Sequence, residues 1–293
     1  MISILIPTYN LNVLDLVYSL EKQLYQLNEK VEIIVLDDAS LPEFKEQNES
    51  ISGIPHVKYQ HLSENVGRTK IREKLAALAS YDWLLFIDGD SQIIKDNFLI
   101  TYLRAIQDNK TIITGGRVYK AKAPTDCSFR LHWKYGSIRE NIHRNKTGFM
   151  TNNFVIHKDI FNQIHLPDGW DQYGHEDTAI GIVLKELGYE ITTINNPILH
   201  AQLETSEVFL KKSEQALHNI PVMVQNFGSE EVAKHIKMYK WYLIIQQLRI
   251  GGIIEKIYYL LQNRIQKNLA SCHPSLFYFD FYRMVYLFKT VMF

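Results

Sequence analysis

Two carboxylates separated by one glycine, Asp88-Gly89-Asp90, follow directly on the apolar run Leu84-Leu85-Phe86-Ile87. Four apolar residues ending so abruptly predict a buried strand, with the acids at its carboxyl end. Side chains two positions apart on an extended segment share a side, so Asp88 and Asp90 can face one ligand together. Gly89 removes bulk between them and lets backbone or ligand come close. Neighbouring carboxylates repel unless a cation lies between or beside them, and their hard oxygens suit Mg²⁺ or Mn²⁺. Taken alone, the tripeptide reads better as a solvated turn behind a core strand; the rest of the chain decides.

The elements that would position these acids lie upstream. Ile2 to Ile6 predicts a short strand closed by Pro7-Thr8-Tyr9-Asn10. Val13, Val17, Leu20, Leu24 and Leu27, at spacings of three and four, predict a helix after it. Val31 to Leu36 is a second strand, ending in Asp37-Asp38-Ala39-Ser40. His56 to Leu62 is a weaker third, ending in Ser63-Glu64-Asn65-Val66-Gly67-Arg68. Ile71, Leu75 and Leu78 mark the helix that delivers the chain to Leu84. Strands alternating with helices predict an α/β fold, its mostly parallel sheet joined by right-handed crossovers and covered on both faces. Ligands of such sheets bind beyond the carboxyl ends of the strands. Asn10, Asp38, Asn65, Arg68 and Asp90 all follow strand ends, so they are expected along one edge.

No GxGxxG follows a strand and no GxxxxGK[ST] is present, so dinucleotide and P-loop readings lose their usual support. His175-Glu176-Asp177-Thr178-Ala179 is not a zinc HExxH motif, because position 179 is alanine. The edge does offer an acid able to hydrogen-bond a base, an arginine and a helix start for phosphate, and paired carboxylates for a metal. Those are the parts a nucleoside diphosphate requires. In order, Pro7-Thr8-Tyr9-Asn10, Leu36-Asp37-Asp38-Ala39-Ser40, Asn65-Val66-Gly67 with Arg72, and Asp88-Gly89-Asp90 resemble the signature of family 2 glycosyltransferases of the GT-A fold. The chain departs from it at Arg72-Glu73, where the family often shows Arg-Asn.

The resemblance implies a GT-A domain with a Rossmann-like sheet, a nucleotide-sugar donor with UDP as first choice, and a divalent metal, Mn²⁺ or Mg²⁺. It implies inverting transfer to a hydroxyl of a saccharide or lipid-linked saccharide, in surface polysaccharide or glycan synthesis. Pro7, Thr8, Asn10, Asp38, Asn65, Gly67, Arg68, Arg72, Asp88 and Gly89 would then bind donor, and Asp90 and Asp88 the metal. Thr151 to Ile156 reads as a strand that, by resemblance, precedes the acceptor side, with Asn153 among the acceptor contacts. After Asp171-Gln172-Tyr173-Gly174, Glu176 and Asp177 open a helix marked by Ile180, Val183, Leu184 and Leu187. Acids are favoured at a helix start by the dipole alone. By resemblance the pair is the family's Glu-Asp motif, with Asp177 the general base and Glu176 and His175 at the acceptor. His200, ending the short strand Pro197-Ile198-Leu199, matches a metal-ligating histidine on the same grounds; imidazole suits Mn²⁺ better than Mg²⁺.

A chain of 293 residues with 46% hydrophobic and 22% charged residues is an ordinary folded protein, long enough for one large α/β domain with an appendage. The expected division is a catalytic domain over 1–205 (nucleotide half 1–95, acceptor half 96–205) and a helical region over 206–293. Zero formal net charge gives no reason to expect nucleic acid. Cys127 and Cys272 form no CxxC pair and no disulfide framework, which suits a reducing compartment. With no basic n-region, no cleavage site and no apolar run of spanning length, the expected location is cytoplasmic. The sequons at Asn48 and Asn145 are read as chance. From Val232 to Phe293 nine Lys or Arg face two acids, Glu255 and Asp280, among many aromatics. That pattern fits either helices covering one another or a second subunit, or a peripheral contact with the inner face of a cell membrane. The rival function is a non-catalytic GT-A scaffold or partner subunit in a polysaccharide assembly, against which the acids at 88, 90 and 177 argue. A nucleotidyltransferase would show a Gly-rich basic loop where Pro7-Thr8-Tyr9-Asn10 stands.

Overall fold

Every residue of Val31–Asp37 is buried, and nearly every one of Ile2–Thr8 and Trp83–Ile87, which is what continuous apolar runs require of strands covered on both faces. The structure is a computed structural model that describes residues 1–108, 111–142, 149–166, 170 and 173–291. In chain order the first elements are β1 (Ile2–Thr8), α1 (Leu14–Leu24), β2 (Val31–Asp37), α2 (Pro42–Glu49), β3 (Val57–His61), α3 (Arg68–Leu78), β4 (Trp83–Ile87) and β5 (Ser91–Gln92). Next come α4 (Phe98–Gln107), β6 (Ile112–Thr114), β7 (Arg117–Val118), α5 (Arg130–Tyr135), β8 (Asn153–His157), α6 (Lys158–Phe161) and α7 (Glu176–Glu186). The chain ends with β9 (Ile191–Thr193), β10 (Ile198–His200), α8 (Ser206–Phe227), α9 (Ser229–His235), α10 (Lys237–Gln247), α11 (Gly251–Leu269) and α12 (Leu276–Val291).

Two compact units divide the chain. The first comprises Met1–Lys120, Glu140–His165 and Gly181–Gln202. Its seven-stranded sheet has the order β3-β2-β1-β4-β8-β6-β9. The first four strands are mutually parallel, β8 runs antiparallel to both neighbours, and β9 is parallel to β6. The α/β fold with a mostly parallel sheet is as expected. On one face Ile4, Ile6, Ile33, Val35, Leu85 and Ile87 pack with Val13, Val17 and Leu20 of the α1 segment and Phe98 and Tyr102 of α4. On the other, Phe86 stacks on Phe154 and Phe161, and Ile71 and Leu75 of α3 are buried. Each such side chain contributes about 1.5–3 kcal/mol by leaving water. Leu78 and Leu187, expected on buried helix faces, are exposed; each stands in the last turn or just past it, where the helix has run beyond its cover. The polar helix α2 carries no apolar periodicity, and its sequence signal is the proline at its start. Its one buried residue is Asn48, which bonds Leu11 O and Val13 N and so is closed to glycosylation. Asn145 lies outside the described residues.

A second, three-stranded sheet of order β5-β10-β7 belongs to the same unit. It pairs His200 with Ser91 and Ile198 with Arg117.

The second unit comprises Ala121–Arg139, Leu166–Ile180 and Leu203–Phe293. Leu131 of α5, Tyr258, Ile265 and Leu269 of α11 and Phe279 and Val285 of α12 form its core. Within the expected helical region, α9 and α10 are separated at Ile236, whose backbone is extended and whose side chain is buried. Cys127 and Cys272 are joined in a disulfide, with Cα atoms 4.4 Å apart. This corrects the expectation drawn from their spacing. A separation of 145 positions says nothing of distance once the turn before α5 meets the α11–α12 connection, and the argument for a reducing compartment goes with it. Among the described residues no helix is long and apolar enough to cross a membrane.

Candidate active site

Because β1 to β4 are parallel, the segments following them leave the sheet at one edge, as expected. Hydrogen bonds tie these segments together. Asp37, fully buried, accepts from Ser40 N at 2.7 Å, and Ser40 Oγ accepts from Asn10 N at 2.7 Å. Asn10 Oδ1 in turn accepts from Leu41 N at 2.9 Å, with Asn10 itself at φ 51°. Asp38 reaches the next segment. Its two carboxylate oxygens accept from Val66 N and Gly67 N at 2.7 and 3.0 Å, and its carbonyl accepts from Asn65 Nδ2 at 3.1 Å. Gly67, at φ 84°, makes the turn into α3 that a side chain would strain. A carboxylate has about four acceptor sites, so Asp38 can hold this turn and still receive a donor from a ligand. Beside it, Thr8 Oγ1 is buried without a hydrogen-bond partner among the described residues, a hydroxyl that a ligand at this edge can satisfy.

The Asp88-Gly89-Asp90 turn follows β4. A Cβ on Gly89 would stand 3.1 Å from Pro7 O and 3.3 Å from Val13, so the glycine lets two segments of the edge approach. Asp88 Oδ1 accepts from Arg72 Nη2 at 2.6 Å, and Arg72 Nη1 donates to Arg68 O at 3.2 Å. Arg72 is only 5% exposed. It is the counter-ion of Asp88, its side chain turned inward from α3. Arg68 opens α3 at the same edge.

Asp90 and His200 come together through the small sheet. With His200 registered against Ser91, His200 Nδ1 lies 3.5 Å from Asp90 Oδ2, and Ala201 N donates to Asp90 O at 3.1 Å. Burial pushes the Asp90 carboxyl up, but His200, Arg117 and Arg68 outweigh it and hold the group well below the usual carboxylate range. The pair fits one divalent cation: an anionic oxygen and an imidazole nitrogen this close can both touch it. Among the described residues no third His, Cys, Asp or Glu completes a cluster.

Three residues around this pair were not anticipated. The ring of Tyr119 lies 5.3 Å from that of His200, and its hydroxyl donates to Glu140. Arg117 Nη1 reaches the same carboxylate at 3.3 Å. The two-residue strand β7 has no periodicity to reveal it, and Glu140 is distant in sequence. Asn153, expected at the acceptor, is fully buried in β8. Its Oδ1 accepts from Tyr102 at 2.6 Å, and its Nδ2 donates to Asn196 O and Gly116 O at 2.9 and 3.2 Å. The amide knits β8 to the neighbouring segments.

Glu176 and Asp177 stand in the first turn of α7, as expected. Asp171 and Gln172 of the preceding loop lie outside the described residues. Gly174, at φ 105°, is pressed against α8: Asn219 Nδ2 donates to its carbonyl at 2.6 Å, and a Cβ would collide with Ala216. His175, at φ 61°, accepts from Ala179 N through its carbonyl, closing the first turn. Burial pushes its imidazole down to about 4, with Glu176 resisting and Arg283 assisting, so it is uncharged at neutral pH. Glu176 is buried and Asp177 partly exposed.

Residues 3–165 match the family model described as glycosyl transferase family 2. Among solved structures, the mannosyltransferase PcManGT from Pyrobaculum calidifontis, in complex with GDP-Man and Mn²⁺, superposes with a TM-score of 0.60 at 11% identity, covering 99% of this chain and 86% of that one. TarS 1-349 from S. aureus gives 0.51 at 18% identity over 97% and 80% of the two chains. Glucosyl-3-phosphoglycerate synthase from Mycobacterium tuberculosis, in complex with Mn²⁺, UDP and phosphoglyceric acid, gives 0.50 at 13% identity over 75% and 77%. These likenesses show a GT-A fold. No curated protein matches the chain.

Proposed function

Because the chain belongs to glycosyl transferase family 2, we propose that it moves a hexosyl group from a nucleoside-diphosphate sugar, UDP-linked in the first instance, to a hydroxyl of a saccharide or lipid-linked saccharide, with inversion. The single observation that supports this reading most is the Asp90–His200 pair at the carboxyl edge of a parallel sheet, beside the Asp38–Asn65–Gly67 knot. Asp38, Thr8 and Asn10 hold base and ribose, Arg68 and the start of α3 meet the diphosphate, and Asp88 contacts the ribose or the metal. Asp90 and His200 would hold a divalent cation, which when bound neutralises the diphosphate and improves it as a leaving group. Relatives of the same fold crystallised with Mn²⁺ and a sugar nucleotide or UDP make such a cation reasonable.

In the reaction the bond between the anomeric carbon and the diphosphate oxygen breaks as the acceptor oxygen attacks from the opposite side. The acceptor proton passes to the Asp177 carboxylate, and the diphosphate leaves as nucleotide. Glu176 and His175 hold acceptor hydroxyls. Residues 1–205 carry catalysis on this reading, and 206–293 form a helical appendage. The test is calorimetric titration of UDP- and GDP-sugars with and without Mn²⁺. Wild-type protein should bind one of them more tightly with the ion, and Asp90→Ala should lose that tightening while keeping its fold. Equal Mn²⁺-dependent affinity in the variant would remove Asp90 from the metal site.

A further inference from the structure

The second unit carries a surface that glycosyl transfer does not use. On α11, Ile253, Ile257 and Leu260 fall at spacings of four and three and therefore share one face, and all three are exposed, Leu260 at 84%. Lys256, Arg264 and Lys267 lie on the same arc and are exposed as well. The connection before α11 adds exposed Leu248 and Arg249, and α10 adds exposed Lys237, Lys240 and Trp241. From 237 to 269 six cations face one acid, Glu255.

Three acids elsewhere in the unit are paired. Glu204 bonds Lys212, Glu231 bonds Lys234, and Asp280 bonds Arg139 and Arg283. Among the described residues, none of the six cations between 237 and 269 makes an ion pair. Water solvates the cations but leaves the aliphatic side chains between them uncovered. A sheet of anionic headgroups over hydrocarbon satisfies both at once: the aliphatics enter the acyl boundary while the Lys and Arg stems reach back to phosphate. We infer that the exposed arc of α11 docks in the plane of an anionic lipid surface. No helix among the described residues can span, so the contact is peripheral.

The test is cosedimentation of the full chain with phosphatidylcholine vesicles, with and without about 30 mol% phosphatidylglycerol. Neither donor nor acceptor is present, so failure here leaves the transferase reading standing. Wild-type protein should pellet with the anionic vesicles only, and high salt should release it. Lys256→Gln, Arg264→Gln and Lys267→Gln should each lower partitioning about fivefold. Ile257→Ser with Leu260→Ser should lower it while circular dichroism and melting stay unchanged, since both side chains are exposed. Failure of the wild type to bind, or binding that neither set of variants weakens, overturns the inference. So does light scattering that shows a dimer dispersed by Ile257→Ser with Leu260→Ser, since a second copy would then cover the face.

Discussion

Arg72 Nη2 stands 2.6 Å from Asp88 Oδ1, whereas Asp90, two residues on, faces the His200 imidazole. The two acids of the turn are thus sorted by partner, one fixed by a buried guanidinium and the other set against a group that can share a metal. Both side chains of the Arg72–Asp88 pair are largely buried. Removing one partner strands the other charge, at a cost of about 3–5 kcal/mol. Arg72→Met should therefore destabilise the protein by that amount in denaturant titration. Adding Asp88→Asn should cost less than the sum of the single changes, because the stranded charge is gone. Simple additivity would mean the two groups do not act as a pair.

Tyr119 offers a second handle, on His200. Its ring lies beside the imidazole and its hydroxyl is anchored on Glu140, which also binds Arg117. Tyr119→Phe keeps the ring and removes the anchor, so Mn²⁺-dependent donor affinity should fall about tenfold, the lower end for partners behind a metal ligand. Tyr119→Ala should fall further, while metal-free nucleotide affinity stays put. If calorimetry finds both variants normal, Tyr119 does not orient His200.

Much of this arrangement was legible in the chain, and the reason is the sheet. Short apolar-rich runs at Ile2, Val31 and Leu84, each bounded by turn residues, read as buried strands, and parallel strands bring their ends to one edge whatever the loops do. Asn10, Asp38, Asn65 and Asp90 could be grouped on that basis. Side-chain direction was not legible. Asn153 and Arg72 turn inward because Tyr102 and Asp88 wait there, and neither partner is near in sequence. Arg117 and Tyr119 sit on or beside a two-residue strand, too short for any period to show. The Cys127–Cys272 bond depends on how α5 and α11 pack, which spacing does not encode.

Acid should loosen the first unit through Glu32. This buried carboxylate on β2 accepts from Ser3 Oγ, Ser80 N and Oγ, and Lys58 Nζ. Burial pushes its carboxyl up, but Lys58 and the serine donors outweigh burial and hold it below the usual range. A group depressed on folding contributes in full above its unfolded value, about 4.3, and loses that contribution as pH falls through the lower folded value. Glu32→Gln should cost about 2 kcal/mol at pH 7, and the gap to wild type should close as the pH drops below about 4. A gap that stayed constant into acid would mean the ionised form carries none of the stabilisation.

Asp177 carries the sharpest prediction. Asp177→Asn keeps the shape and most hydrogen bonding at the start of α7 but removes the proton acceptor. If Asp177 takes the acceptor proton, single-turnover transfer should fall by about two to four orders of magnitude, the usual scale for a general base. Donor affinity should hardly move, because the base acts on the acceptor. Glu176→Gln should behave differently, raising the acceptor KM more than it lowers the chemical step, if that side chain holds acceptor hydroxyls. Donor titration and single-turnover transfer on the same two variants separate the roles. A weakened donor affinity in Asp177→Asn would make Asp177 a donor or metal contact. Near-normal transfer would move the base elsewhere, with Glu176 the first residue to try, since the depressed His175 is already neutral and able to accept a proton only weakly.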